Sequence, residues 1–280
     1  VTSWNMSNCV RVDGMFLNCS VLETVEGTEN WDTGNIESMY AMFYYNHKLK
    51  DVDVSTWNTA KNTNLSQMFS HCYDLEELNV SNWDVSKVTD FSYMFKGNQN
   101  KGDMKLKNLD VSNWNPVSAV NMLCIFYSCG EFTEMDLSGW NMPNLINAGH
   151  LFADCLKLEK VDMSGWNTPS LLCVDAMFNN CESLKTVDLS DLDTANVKEF
   201  SQMFEACYAL ETVEGMENWD TSSACTFTQM FSGCGNLKEL DLSAFNTGNA
   251  RDNYTDMNNS KSDAFTTMFS GVNKLEKLIV

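Results

Sequence analysis

Basic residues are scarce in this 280-residue chain: 18 Lys and Arg stand against 38 Asp and Glu, a formal charge of −20. A surface so acidic repels phosphate backbones, which argues against nucleic acid as a partner. No apolar run approaches the roughly 18 residues that a membrane-spanning helix needs. The opening VTSWNMSN does not read as a signal peptide. There is no nucleophile elbow, no Gly-rich phosphate loop and no C-x-x-C pair, so the expectation is a protein that is not an enzyme and holds no cofactor or metal. Aromatic residues, by contrast, are plentiful. The 8 Trp, 16 Phe and 8 Tyr recur periodically, which points to a packed chain and away from acidic disorder.

That periodicity organises the sequence. A Met-Phe-like marker places Phe16, Phe43, Phe69, Phe95, Phe126, Phe152, Phe178, Phe204, Phe231 and Phe269 in one column. Five of the nine steps are 26 residues and two are 27; the others are 31 after Phe95 and 38 before Phe269. Twelve residues ahead of the marker stands Trp4, Trp31, Trp57, Trp83, Trp114, Trp140, Trp166, Leu192 or Trp219, with Phe245 displaced by an insertion in the last unit. Three residues behind it a cysteine is common: Cys19, Cys72, Cys129, Cys155, Cys181, Cys207 and Cys234.

Two halves of the unit read differently. The first carries L-x-x-L-x-L, and around Asp188-Leu189-Ser190 the apolar period is two, as in a short strand with one buried face. The second, typified by Val88, Phe91, Met94 and Phe95, has the spacing of a short helix or 3₁₀ turn. Thr33, Thr59, Thr168, Thr194, Thr221 and Thr247 share one phase just ahead of that half and read as caps for it. A single unit has nowhere to bury its apolar stripe except against its neighbours. The expectation is therefore an α/β repeat solenoid of about ten units over residues 1–280, forming one domain. One side would be a parallel β-sheet and the other short helical or 3₁₀ turns. Insertions fall near 96–105 and 251–262. Val1, Val80 and Val280 share one phase, which reads as a fragment of a longer protein.

The phrase MFxxCxxLxxLDLSxW on a 26-residue period resembles the BspA-type leucine-rich repeats of bacterial surface proteins and lipoproteins, in their tryptophan-containing variant. The resemblance spans essentially the whole chain. It implies a right-handed leucine-rich-repeat superhelix, a secreted or cell-surface location, and adhesion to protein or glycan on host or neighbouring cells. It brings no catalytic residues.

Three columns invite a functional reading. The Trp column has the regularity of a core ladder, and Leu192 and Phe245 keep its apolar volume. The cysteine column reads as buried thiols, since eleven cysteines in total exclude full pairing within one chain and Cys commonly serves as a small hydrophobe. The three histidines, His47, His71 and His150, lie at different phases and make no ligand set. The acidic column is the candidate site. Asp53, Asp110, Asp136, Asp162, Asp188, Glu214 and Asp241 sit between the strand's apolar positions and by alternation face outward. Stacked at the strand spacing, each neighbouring pair repels by about 0.9 kcal/mol in water before screening. Serines of the adjacent turn (Ser112, Ser138, Ser164, Ser190 and Ser243) or loop N–H groups could satisfy the acids. Alternatively, the strip attracts a basic partner or, as a weaker reading, calcium. Rival expectations are a passive structural stalk and a divalent-cation or ice-surface binder.

Overall fold

Alternation around the acidic column becomes short parallel strands in the computed structural model, which describes residues 1–98, 104–257 and 259–280. Residues 99–103 of the insertion near 96–105, and residue 258 of the one near 251–262, lie outside the described residues. The strands are β1 (Thr24–Val25), β2 (Asp51–Val52), β3 (Glu134–Asp136), β4 (Lys160–Asp162), β5 (Thr186–Asp188), β6 (Thr212–Glu214) and β7 (Glu239–Asp241). They are followed by β8 (Tyr254–Thr255), β9 (Lys261–Ser262) and β10 (Lys277–Ile279). Parallel pairs join β1 to β2, β3 to β4, β5 to β6 and β7 to β10. β8 and β9 form an antiparallel hairpin within the second insertion. Each parallel pair joins equivalent positions of successive repeats, the geometry of a leucine-rich-repeat solenoid.

On the far side, a second ladder runs in parallel bridges from Arg11 and Ser38 through Asn64, Asp90, Asn121, Asn147, Cys173 and Glu199 to Thr226. It leads into the segment expected to turn helically. That segment does contain 3₁₀-type bonds, such as Met177 N–H to Val174 O at 3.2 Å and Asn179 N–H to Ala176 O at 3.0 Å. The intervening N–H groups point instead along the solenoid axis. Ala176 donates to Ser201 O at 2.8 Å, Phe178 to Met203 O at 2.9 Å and Asn180 to Glu205 O at 2.7 Å. In most coils two residues, two before and two after the marker phenylalanine, make this possible by adopting positive φ, as at Ala41 and Tyr45, His150 and Asp154, or Gln202 and Ala206. Such a conformation costs a non-glycine residue about 1 kcal/mol or more. The bond that each left-handed N–H makes to the next coil offsets the cost, so a four-residue rhythm of turn plus left-handed residue replaces a continuous helix. It buries the same side chains: Val88, Phe91, Met94 and Phe95 are all fully enclosed.

Between the two ladders lies a core continuous from Met6 to Met268. All ten marker phenylalanines stack in one column, with successive ring centroids 5.3 to 6.1 Å apart and planes within 14°. The tryptophans stack beside them, Trp57 on Trp83 at 6.2 Å and Trp140 on Trp166 at 6.5 Å.

Polar side chains staple the coils from inside. From Trp31 onward the indole N–H groups donate to a backbone carbonyl one coil back, as Trp83 does to Val54 and Trp166 to Leu137, both at 3.0 Å. Cysteine thiols donate to the preceding marker carbonyl, as Cys207 does to Phe178 O and Cys234 to Phe204 O, both at 3.0 Å. The column is thus a donor ladder as well as a filler. Burial pushes the thiols of Cys72 and Cys234 up to about 12 and those of Cys181 and Cys207 well above their ordinary value. The threonines correct the sequence reading. Thr33, Thr59, Thr168, Thr194 and Thr221 are buried, and Thr33, Thr59, Thr168 and Thr221 bridge coils, with no helix there to cap. Thr33 Oγ1 donates to Asn58 O at 3.1 Å and accepts from Asn58 N–H at 2.8 Å.

Candidate interaction surface

The acidic column lies on the sheet side. Asp53, Asp110, Asp136, Asp188, Glu214 and Asp241 are exposed and Asp162 is half-buried. Strand register sets Asp136 directly beside Asp162, and Asp188 beside Glu214. The surface gathers the strip into two depressions. One, of about 680 Å³, includes Asp53, Asn79 and Asp110; the other, of about 330 Å³, includes Asp162, Asp188 and Glu214. Asp136 and Asp241 line neither.

Each aspartate closes a small turn with the serine two residues on, in its own coil. Asp188 Oδ1 accepts from Ser190 N–H at 2.9 Å and Ser190 Oγ at 2.6 Å; Asp53 does the same with Ser55 and Asp162 with Ser164. Asp110, Asp136 and Asp241 accept from Ser112, Ser138 and Ser243. These bonds favour the charged form. The serine hydroxyl and N–H hold the carboxyls of Asp53, Asp162, Asp188 and Asp241 below the usual carboxylate value. Oδ1 is thereby engaged and oriented.

Where glutamate replaces aspartate, the side chain is too long for that turn and the backbone supplies it. Gly215, after Glu214, adopts φ 87° and opens a 3₁₀ turn over Met216–Asn218. A Cβ there would lie 2.3 Å from the Ser190 nitrogen. Gly27 after Glu26 repeats the device at φ 88°. The sequence signal was present as Glu-Gly in place of Asp-x-Ser, but its meaning depends on the approach of the preceding coil.

Charges flanking the strip neutralise one another between coils. Lys50 pairs with Glu23 at 2.8 Å and Lys107 with Glu76 at 3.2 Å, while Lys48 and Lys105 both reach Asp74. The aspartates of the central column take part in no ion pair among the described residues, although Lys160 and Lys277 lie near enough to favour the charged forms of Asp162 and Asp241. Among the described residues, no group of three or more His, Cys, Asp or Glu is placed to hold a metal ion, and no helix is long and apolar enough to cross a membrane.

Coil-on-coil parallel pairing, a phenylalanine spine and a decorated sheet face define a leucine-rich-repeat protein. The chain belongs to the family described as Mycoplasma protein of unknown function, DUF285, whose model matches residues 1–104, 78–187, 102–213 and 174–279. No curated protein matches it. Among solved structures it is similar to a leucine-rich repeat protein from Bacteroides ovatus at 15% identity and a TM-score of 0.48. That likeness covers 96% of this chain, which spans 58% of the Bacteroides protein. It is also similar to a leucine rich cell surface protein from Faecalibacterium prausnitzii, at 12% identity and a TM-score of 0.23 over 95% of this chain and 81% of that one.

Proposed function

We propose that residues 1–280 form one non-catalytic interaction domain that binds a basic protein surface through the acidic column of its sheet face. The observation that carries this reading is the contrast between that column and its flanks. Several flanking lysines and glutamates pair with one another between coils, whereas the aspartates of the column are oriented by their serines and form no ion pair among the described residues. Such a strip acts on association rate and partner choice more than on raw affinity. The BspA-type resemblance supports placing the domain outside the cell, as an adhesive module whose partner lies on a host or neighbouring cell.

The test is a binding screen against extracellular matrix proteins and mucins at low and physiological salt, with an Asp136→Asn, Asp162→Asn, Asp188→Asn variant alongside. A partner whose binding weakens with salt and with the variant supports the reading. A folded chain that binds nothing overturns it and favours a passive stalk.

A further inference from the structure

Both departures from the 26-residue repeat border one cleft, although they lie far apart in sequence. The cleft, of about 530 Å³, opens on the turn side, away from the acidic strip. Lys96, at the start of the first insertion, lines it, and so do Asp256, Ser260, Lys261 and Ser262 of the second. The volume falls within the roughly 300–1,000 Å³ of small-ligand sites.

The second insertion is anchored at a cost. Glu199 is 1% exposed, and its Oε1 accepts from Tyr254 Oη at 3.0 Å and from Met257 N–H at 2.9 Å. Its Oε2 is buried, with the weakly donating Cys173 thiol beside the carboxyl. Burying a carboxylate so is unfavourable, and the solenoid's repeat has no need of it. Ser262 Oγ adds a bond to Thr226 Oγ1 at 3.2 Å. Together these contacts hold the β8–β9 hairpin against the turn face as a wall of the cleft.

The lining is polar, rigid and balanced in charge. Lys96 Nζ stands 5.0 Å from the ring centroids of both Tyr93 and Tyr127. His150 Nε2 lies 3.3 Å from Asp175 Oδ2. The amides of Gln202 and Gln229 both donate to Glu205, at 2.7 and 2.9 Å. Tyr93, His150, Gln202 and Gln229 are left-handed residues of the turn ladder, with Cys124 and Ala176 at the same position of the intervening coils. Two lysines face two aspartates, a local balance on a chain of net charge −20. That balance removes any bias toward an ionic ligand. Phenol rings, planar amides and a carboxylate-held imidazole, fixed in place before binding, suit an uncharged ligand dense in hydroxyl groups. We propose that this cleft is a binding site for a neutral oligosaccharide, with Glu199 as the residue that positions its hairpin wall.

Saturation-transfer NMR on the whole chain, with maltotriose, cellotriose, chitotriose and lacto-N-tetraose as probes, tests this. A sulfated tetrasaccharide and trilysine serve as charged controls. At least one neutral sugar is expected to bind with a dissociation constant of about 0.1–1 mM, insensitive to salt. A Gln202→Ala, Gln229→Ala double variant should weaken it about tenfold or more. Tyr254→Phe, which removes only the hydroxyl that Glu199 holds, should weaken it several-fold without unfolding the solenoid. The triple Asp→Asn variant of the sheet face should leave it unchanged. Binding of none of the neutral sugars, binding of a charged control alone, or sugar binding indifferent to both cleft variants would each overturn the proposal.

Discussion

The indole N–H of Trp83 donates to the carbonyl oxygen of Val54, 3.0 Å away and one full coil earlier. The ring is therefore a fastener between coils as well as core volume. Trp83→Phe keeps an aromatic ring in the stack but removes one of the two bonds that carbonyl accepts, the other coming from Trp57 N–H at 3.2 Å, and a loss of about 0.5–1.5 kcal/mol in unfolding free energy is expected. Urea titration checks it. A change below a few tenths of a kcal/mol would mean the indole is held by packing alone.

The buried threonines make a sharper case, because Val is nearly isosteric. Thr221 Oγ1 donates to Asn246 O at 3.1 Å and accepts from Asn246 N–H at 2.7 Å. Thr221→Val strands both groups, and about 1–3 kcal/mol should be lost. Thr247, at the same phase but exposed, should tolerate Val within about 0.5 kcal/mol.

Gly215→Ala should destabilise by about 2 kcal/mol or more, since the new methyl meets the Ser190 backbone while the left-handed φ remains. Gly139, also at positive φ but with open space around its missing Cβ, should lose only the conformational part, about 1 kcal/mol. Thermal melts of the two variants separate close approach from backbone strain.

The outline of the fold was legible in the sequence because each repeat spends the same residues on the same contacts. The Phe column, the Trp column and the outward acids all announce themselves by spacing. The turn side was harder to read. A four-residue rhythm of turn and left-handed residue buries Val88, Phe91, Met94 and Phe95 at the same spacing as a helix, so apolar periodicity does not separate the two. The threonine staples and the hairpin's anchor at Glu199 join residues 25 or more positions apart. Local pattern carries no trace of such pairings.

Cysteine reactivity follows from the thiol ladder. Nine of the eleven cysteines are buried, while Cys19 is exposed and Cys9 half-buried. Native alkylation near pH 8 followed by mass spectrometry should label Cys19 and Cys9 only. With folded values raised above the ordinary 9.0 for Cys72, Cys181, Cys207 and Cys234, the stability from burying neutral thiols is full below pH 9. It should decline as pH rises from there toward about 12. Rapid native labelling of Cys181 or Cys207 would contradict this.

At the acid end the sign reverses. Serine bonds lower the carboxyls of Asp162 and Asp188, so their stabilisation is present above the ordinary value of 3.8 and is lost as pH falls through the lower folded values. Ser164→Ala with Ser190→Ala should reduce stability at neutral pH and flatten its decline below about pH 4. Melting temperatures across that range decide it.

The acidic strip itself is tested most directly by matching charge against place. Asp84 and Asp220 accept from Ser86 and Ser222, and Asp32 from Gly34, in turns like those of the strip, but away from the sheet. Neutralising Asp136, Asp162 and Asp188 to Asn should weaken binding of a basic probe, poly-L-lysine, by about tenfold at low salt and reduce its salt dependence. Neutralising Asp32, Asp84 and Asp220 changes net charge equally and should leave affinity within about twofold. Equal losses in the two triple variants would show that only total charge matters, and the sheet face would no longer be the binding surface.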